Sequence, residues 1–191
     1  MIKGWLNTQN DVNQPEKILA SYIATNNSSH LNQLVALYNQ ALFHYLLSLS
    51  DQQLAQDVLQ ITWVKVMKSA SRYQPGTSIK NWLFTIARNT LIDELRRNNR
   101  WQWQELDDTV LDTANVSPEQ ACSAEYDIKV FNHAVDSLPY FQREAFIFQQ
   151  EGFSLNDICQ LTNESFETIK SRIRYAKQRI KTQLELNHEC R

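Results

Sequence analysis

The sequence of 191 residues predicts an all-α protein with two small helical domains joined by a flexible acidic linker, the second domain containing a helix-turn-helix. Apolar residues recur at spacings of three and four along most of the chain, which is the periodicity of helices buried on one face. Only three glycines and four prolines occur, which disfavours turn-rich β architectures. The periodicity is lost over one acidic stretch near the middle, and this break predicts two domains.

The first domain is expected at residues 26–100, after a polar tail at residues 1–25 that forms at most a weak helix. Apolar residues at helical spacing mark its first two helices. The second of these begins after Asp51, whose carboxylate can accept hydrogen bonds from first-turn amides. Pro75 and Gly76 together mark a turn, and a third helix follows it and ends in an arginine-rich segment.

Residues 101–128 are predicted to form the linker, since they contain seven acidic residues and no lysine or arginine. The second domain is expected at residues 129–187. Pro139 opens one of its helices, and Gly152 ends that helix, because glycine is the usual residue just beyond a helix C-terminus.

The formal net charge of −2 conceals a strong pattern along the chain. Residues 80–100 carry five basic and two acidic side chains, and residues 165–181 carry six basic and one acidic. One such patch is usually a solvated helix face, but two of them, each on a helix with other nucleic-acid signals, indicate contact with DNA or RNA.

The sharpest local signal is a helix-turn-helix at residues 154–181. Ser154 and Asp157 have the spacing of a capping box, with aspartate in place of the usual glutamate. Asn163 lies in a tight turn where a left-handed backbone is needed, and asparagine tolerates that conformation better than most residues. Ser165 can then cap the second helix.

The second helix of this motif sorts into two faces. Its apolar stripe, suited to anchoring the helix, consists of Ile169, Ile173, Ala176, Ile180 and Leu184. A polar and basic face can enter the major groove, where Lys170 donates to guanine and Glu167 accepts from cytosine, while Arg172 and Lys177 contact phosphate. The expected DNA-contacting set is Ser165, Glu167, Thr168, Lys170, Ser171, Arg172, Arg174, Tyr175 and Lys177. The alternative is a surface helical hairpin with a solvated cationic face.

Other classes of protein are disfavoured. The chain has three cysteines, Cys122, Cys159 and Cys190, which lie far apart and cannot all pair. This fits a reducing cytoplasm better than a disulfide framework. No apolar run is long enough for a membrane span, and the N-terminus lacks the pattern of a signal peptide. His188 and Cys190 are too few ligands for a structural zinc site, so no metal or cofactor is expected. A small enzyme is disfavoured because the four histidines are scattered and nucleophile and phosphate-loop motifs are absent.

Three segments carry a resemblance to a known family. Residues 82–89 (WLFTIARN) resemble the promoter-melting segment of bacterial RNA polymerase sigma factors of the extracytoplasmic-function (ECF) group, within the sigma-70 family. Residues 57–66 (DVLQITWVKV) resemble its polymerase-binding helix, and residues 138–144 (LPYFQRE) with 168–172 (TIKSR) resemble its second conserved domain. In all, the resemblance covers about residues 30–185, with the segments in the same order.

The resemblance implies that the first domain opens the minus-ten promoter element and that the loop before Trp82, with Asn89 nearby, receives a flipped base. Holding unpaired bases requires aromatic side chains for stacking and cations for phosphates. The expected set is Tyr73, Ser78, Lys80, Trp82, Arg88, Asn89, Asp93, Arg96 and Arg97. Phe84 is expected in the core, whereas for Trp82 stacking on DNA and core packing both stay open.

The same resemblance implies that one helix binds the clamp helices of the largest subunit of core RNA polymerase. Its expected contact residues are Asp57, Gln60, Ile61, Thr62, Trp63 and Lys65. Ile61 departs from the family, which usually has an acidic residue there. The acidic linker either lies in a polymerase channel normally occupied by RNA or is a plain solvated connection.

The predicted function is therefore a non-catalytic, cytoplasmic sigma factor with promoter DNA as its partner and no direct membrane insertion. The resemblance also implies control by an anti-sigma factor, which in this family is often membrane-bound. Glu164 departs from the family, which usually has an apolar residue in the turn, so looser turn packing is expected. The rival prediction is a stand-alone helix-turn-helix regulator, but no heptad seam for a dimer is apparent.

Overall fold

The computed structural model describes residues 14–76, 78–97 and 124–189, and these ranges are helical apart from short connections. Their elements are α1 (Gln14–Thr25), α2 (Ser28–Leu47), α3 (Gln52–Ser69), a 3-10 turn (Ala70–Arg72), α4 (Ile79–Arg97), α5 (Ala124–Asp136), α6 (Tyr140–Gln150), α7 (Leu155–Thr162) and α8 (Phe166–Glu189). The all-α prediction is confirmed. None of these helices combines the length and the hydropathy needed to cross a bilayer.

The described residues divide into two compact units. The first unit contains α1 to α4 as far as Glu94, without the short segment 47–51. The second unit contains that segment and the residues from Leu95 onward, including α5 to α8. The predicted domain boundaries stay predictions, and most of the predicted linker, residues 101–123, lies outside the described residues.

In the first unit, α2, α3 and α4 each bury apolar side chains, and a ring pair joins α2 to α4. Tyr45 on α2 and Phe84 on α4 meet edge to face, with ring centroids 5.4 Å apart, and both side chains are fully buried. Such aromatic pairs prefer this geometry because the positive ring edge meets the negative ring face. The expectation that Phe84 is a core residue is confirmed.

The sequence left residues 1–25 open as a polar tail or a weak first helix, and the structure shows a helix, α1, at residues 14–25. Leu19 is fully buried and Tyr22 nearly so, and α1 packs against the 3-10 turn. The two side chains are three residues apart and therefore share one helix face. Because α1 buries two of its twelve side chains, it gives only a weak periodic signal in the sequence.

In the second unit, α5, α6 and α8 bury a second core, formed by Ala134, Val135, Leu138, Phe146, Ala176 and Ile180. The predicted linker extended to residue 128, but α5 already begins at Ala124. Its first turn contains acidic residues, which stabilise a helix N-terminus but contribute nothing to an apolar pattern. This is why the sequence placed the start of the helix too late.

The predicted caps around α7 are confirmed. The Asp157 N–H donates to Ser154 Oγ at 3.2 Å, and the Ser154 N–H donates back to Asp157 Oδ2 at 3.0 Å. Asn163 ends α7 with φ 58° and ψ 38°, the left-handed conformation. Its neighbour Glu164 donates its N–H to the Cys159 carbonyl at 3.2 Å, so the turn satisfies a carbonyl at the end of α7.

Replacing Asn163 tests the turn. We expect Asn163→Ala to lower the free energy of unfolding of the second unit by about 1 kcal/mol, because alanine resists a positive φ. Asn163→Gly is the matched control and should be neutral or stabilising, since glycine adopts this conformation without a steric penalty. Urea unfolding of the full chain, followed by circular dichroism, measures both. Equal stability of the two variants would contradict the role given to the turn.

Candidate nucleic-acid interface

In the second unit, α8 presents a cationic face whose back is buried. Ser165 caps the helix through a hydrogen bond from the Thr168 N–H to Ser165 Oγ at 3.1 Å. The apolar stripe is buried as predicted: Ile169, Ile173, Ala176 and Ile180 are at most 5% exposed. Lys170, Arg174, Lys177 and Lys181, here called the basic stripe, follow each other at spacings of four and three and are all exposed.

The contacts within this face are weak enough to be exchanged for DNA. Lys170 Nζ lies 4.0 Å from Glu167 Oε2, and both side chains are more than half exposed. The Arg174 guanidinium lies 4.8 Å from the ring centroid of Tyr175, a ring that is itself 45% exposed. Exposed ion pairs contribute little to stability and are screened by salt. Thr168 and Ser171, which are partly exposed, complete this face with Ser165.

Arg172 differs from the predicted set. Its guanidinium donates to Glu164 Oε1 at 2.9 Å and lies 4.8 Å from the ring centroid of Phe141, and the side chain is only 16% exposed. The sequence assigned Arg172 to phosphate contact, but the structure engages it within the second unit. The looser turn expected at Glu164 is also not found, because this carboxylate has an arginine as its partner.

In the first unit, two of the predicted minus-ten residues come together at the start of α4. Tyr73 follows the 3-10 turn and donates its N–H to the Ala70 carbonyl at 3.0 Å. Trp82, in the first turn of α4, meets the Tyr73 ring edge to face at a centroid distance of 5.3 Å. Both rings are partly exposed, so they form an aromatic surface next to the turn.

The remaining predicted minus-ten residues lie mostly along α4. Asn89, Asp93 and Arg96 share the face of Trp82 and are exposed, as is Arg97. Asp93 Oδ2 lies 3.8 Å from Lys65 Nζ on α3. Three residues stand apart from this exposed face. Arg88 is only 9% exposed, Lys80 Nζ lies 5.8 Å from the Phe84 ring centroid, and Ser78 precedes the helix, where its hydroxyl accepts from the Asn81 N–H at 3.4 Å.

Two residues that sequence reasoning missed lie in the electrostatic surroundings of this aromatic surface. Burial raises the pKa of Tyr38 to about 12, with smaller contributions from the negative charge of Glu16 and from Tyr73. Burial and then Glu16 also raise the pKa of Tyr73. Both phenols therefore stay protonated near neutral pH, and Tyr73 offers a neutral ring. Glu16 is in α1, the segment that the sequence left open as a tail or a weak helix.

The predicted polymerase-binding residues on α3 fall into two groups. Asp57, Gln60 and Lys65 are exposed, and Ile61 and Trp63 are partly exposed. The Trp63 indole N–H donates to Asn39 Oδ1 on α2 at 2.9 Å, which fixes that ring. Thr62 departs from the prediction, since it is fully buried and its hydroxyl donates to the Val58 carbonyl at 2.7 Å. Its side chain therefore contributes no surface for a partner.

The structure adds two apolar residues to the outer face of α3. Val64 and Met67 are 41% and 43% exposed. With Asp57 and Gln60 they form one stripe at spacings of three and four. The sequence grouped Val64 and Met67 with the buried pattern, because apolar residues on neighbouring faces of one helix are not separated by periodicity alone.

Within the described residues, no cluster of histidine, cysteine and acidic side chains could hold a metal ion. Several predictions concern residues outside the described ranges: these are most of the linker charges and the cysteines Cys122 and Cys190, the second of which is the possible metal ligand beside His188. Cys159, in α7, is a free thiol.

Comparisons with known proteins place the chain in a family. The family model for Sigma-70 region 2 matches residues 34–101. ECF RNA polymerase sigma factor EcfG of Rhodopseudomonas palustris (strain TIE-1) is 32% identical over 127 residues, covering 66% of this chain and 68% of the relative.

Two solved structures are similar to this chain. The sigma factor RpoE from Bartonella quintana, solved with the anti-sigma factor NepR, gives a TM-score of 0.64 at 31% identity over 81% of this chain and 96% of that one. CnrH, solved with the cytosolic domain of CnrY, gives a TM-score of 0.65 at 20% identity over 91% of this chain and 99% of that one, and shows likeness of fold. The identity to EcfG over two thirds of both chains confirms the resemblance in the sequence: this chain belongs to the ECF group of RNA polymerase sigma factors.

Proposed function

We propose that this chain binds core RNA polymerase and directs promoter-specific initiation, with the first unit opening the minus-ten element and the second reading the minus-thirty-five element. One observation carries the proposal beyond family membership. The same chain presents a basic stripe on a helix with a buried back and, in the other unit, an exposed pair of aromatic rings beside a turn. The first suits duplex DNA and the second suits unpaired bases.

For the duplex element, the N-terminal part of α8 enters the major groove. Lys170 donates to a guanine, and Glu167, one turn earlier, accepts from a cytosine amino group. Arg174 and Lys177 continue the basic stripe and bind phosphates, which fixes the register of the helix without reading sequence. The buried apolar stripe holds α8 at a fixed rotation, so these side chains stay on the DNA side.

For the minus-ten element, Tyr73 and Trp82 provide faces on which an extruded or unpaired base can stack. One such stacking contact contributes roughly 1–3 kcal/mol, and it is tolerant of sequence. Asn89 supplies the hydrogen-bonding groups that a base edge requires. The exposed arginines at the end of α4, Arg96 and Arg97, attract the phosphates of the opened strand.

For polymerase, the outer stripe of α3 forms the contact, with Val64 and Met67 as its apolar centre and Asp57 and Gln60 at one end. An apolar centre with a polar rim is typical of protein interfaces. The partner surface is that of the clamp helices of the largest subunit. Thr62 has no part in it, and Trp63 supports the helix through Asn39.

An anti-sigma factor is the proposed regulator. The Bartonella quintana relative, at 31% identity, was solved with the anti-sigma factor NepR. The chain is accordingly a non-catalytic specificity subunit that works where polymerase works, in the cytoplasm. A stand-alone helix-turn-helix regulator is the second candidate, because α7 and α8 alone suffice for binding duplex DNA.

Reconstituted transcription tests the proposal. Core polymerase supplemented with the chain is expected to start RNA synthesis at new positions on a genomic fragment library, and the chain should co-purify with core. A stand-alone regulator would bind DNA without core. A chain that neither associates with core nor changes the start sites would overturn the proposal.

The first variant tests the α3 stripe. We expect Val64→Glu to weaken binding to core polymerase about tenfold or more, because a charge is buried at the centre of an apolar contact. The melting temperature should not fall, since the side chain is 41% exposed. Leu37→Glu on α2, at 44% exposure, is the matched control. Competition for core against a labelled wild-type chain measures both, and equal effects of the two variants would contradict the assignment.

The second variant tests base stacking. Trp82→Ala should reduce open-complex formation about tenfold or more on a duplex promoter, because loss of stacking costs roughly 1–3 kcal/mol per base. Trp82→Phe, which keeps an aromatic face, should retain most of the activity. Permanganate reactivity of unpaired thymines reports opening. On a template with an artificial bubble at the minus-ten element the alanine defect should shrink, and a defect of equal size there would speak against a role in melting.

The third pair of variants separates reading from positioning on α8. Lys170→Ala should relax preference at a single position of the minus-thirty-five element, at a cost of about 1–3 kcal/mol. Lys177→Ala should weaken binding evenly over all sequences and lower the salt slope by about one. Open-complex formation by holoenzyme on a set of single-position promoter variants measures both effects. Equal losses on every promoter for both variants would refute the assignment.

A further inference from the structure

Three elements of the second unit meet at one ion pair. Glu164 lies in the turn after α7, Arg172 is two helical turns into α8, and Phe141 is on α6. The guanidinium donates to Glu164 Oε1 at 2.9 Å and lies 4.8 Å from the Phe141 ring centroid. Arg172 thus connects the turn, α8 and α6. Two further ion pairs of α8, Lys170–Glu167 and Lys181–Glu185, lie within that helix.

The backbone places Glu164 where it can do this. The left-handed Asn163 reverses the chain, and the Glu164 N–H donates to the Cys159 carbonyl at 3.2 Å. The carboxylate of Glu164 then points toward α8, eight residues ahead of its own position. With an apolar residue at position 164, the mostly buried guanidinium of Arg172 would lose the carboxylate that neutralises its charge.

Exposure and pairing distinguish Arg172 from the cations of the basic stripe. The Arg172 side chain is 16% exposed and its charge is neutralised at short range, whereas the Lys170 side chain is 61% exposed. Withdrawing Arg172 to bind phosphate would leave a partly buried carboxylate unpaired and uncover an aromatic ring. The side chains of the basic stripe can bind phosphate without uncovering a buried group, because they already face solvent.

We propose that Glu164 and Arg172 are positioning residues for promoter recognition: they set the rotation and depth of α8 relative to α6, and neither touches DNA. This inference rests on the proposed function, in which α8 reads the minus-thirty-five element. The apolar stripe fixes which face of α8 packs against α5 and α6, but a small rotation of the helix keeps the same face buried. A directional ion pair with a stacked guanidinium resists such rotation.

The test uses holoenzyme reconstituted from core polymerase and the full chain, on a promoter selected from the genomic fragment library. The measured quantity is the holoenzyme concentration that half-saturates open complexes, determined over a range of salt concentrations. The variants are Glu164→Gln, Arg172→Met and the double exchange Glu164→Arg with Arg172→Glu. Glu185→Gln is the matched control, since Glu185 forms an exposed ion pair with Lys181 at 3.5 Å on the same helix.

We expect Glu164→Gln and Arg172→Met each to raise the half-saturating concentration about tenfold, with the salt slope unchanged, because no phosphate contact is lost. The double exchange should recover most of the affinity by restoring an ion pair. Glu185→Gln should behave like the wild-type chain. On a promoter with a scrambled minus-thirty-five element all these differences should disappear, because there α8 has no sequence to read.

A salt slope that falls by about one in Arg172→Met, with Glu164→Gln unaffected, would overturn the inference and make Arg172 a phosphate contact. Failure of the double exchange to recover affinity would also overturn it. If Arg172→Met does not fold, Glu164→Gln and the double exchange, checked by their melting temperatures, decide the matter. Failure of the proposed function would be visible earlier, because wild-type holoenzyme would then form no open complexes on the selected promoter.

Discussion

Burial of the back of α8 is the constraint on which the second unit depends. Ala176 and Ile180 pack with Ala134, Leu138 and Phe146 into one apolar cluster. Because side chains repeat every 3.6 residues, fixing this stripe also fixes the direction of the basic stripe, roughly a quarter of a turn away. The helix cannot present its cations elsewhere without exposing its core. The hydrophobic effect thus determines which residues of α8 face solvent, and these are the residues to which the proposed function assigns DNA contact.

The proposed function sets a different requirement for the first unit. Unpaired bases stack on exposed aromatic rings, but exposing aromatic rings to water is unfavourable in free energy. Tyr73 and Trp82 reduce the apolar area exposed to water by packing edge to face, and part of each ring stays accessible. Burial and then the charge of Glu16 raise the pKa of Tyr73 above its ordinary value of 10.0. Because even the ordinary value lies well above neutral pH, the ring is uncharged there. The helix α1, which supplies Glu16, therefore belongs to the surroundings of the candidate site as well as to the fold.

The features that could be predicted correctly are those whose signals lie close together in the sequence. The caps at Ser154 and Asn163 were predictable because the responsible groups lie within a few residues of each other. The contacts of Arg172 were not predictable, because Glu164 lies eight residues earlier in the chain and Phe141 lies on another helix. Likewise, periodicity gave α3 correctly but could not separate the buried Thr62 from the exposed Val64. Helix α1 could be given only as an alternative to a polar tail, because two buried side chains make a weak periodic pattern.

The charge balance of the chain has a consequence for how it must work. The chain carries 19 lysines and arginines and 21 acidic residues, for a formal net charge of −2, and six of the basic residues fall within residues 165–181. Nonspecific DNA affinity comes almost entirely from neutralised phosphates and falls steeply with salt. A chain of this charge that carries only a few exposed cations on its reading helix gains little from DNA alone. The proposed function removes the difficulty, since polymerase adds its own phosphate contacts and leaves α8 and the Tyr73–Trp82 pair to contribute selectivity. Weak affinity of the isolated chain is then a requirement of its role, because a sigma factor that held promoters tightly without polymerase would block the sites that it has to open.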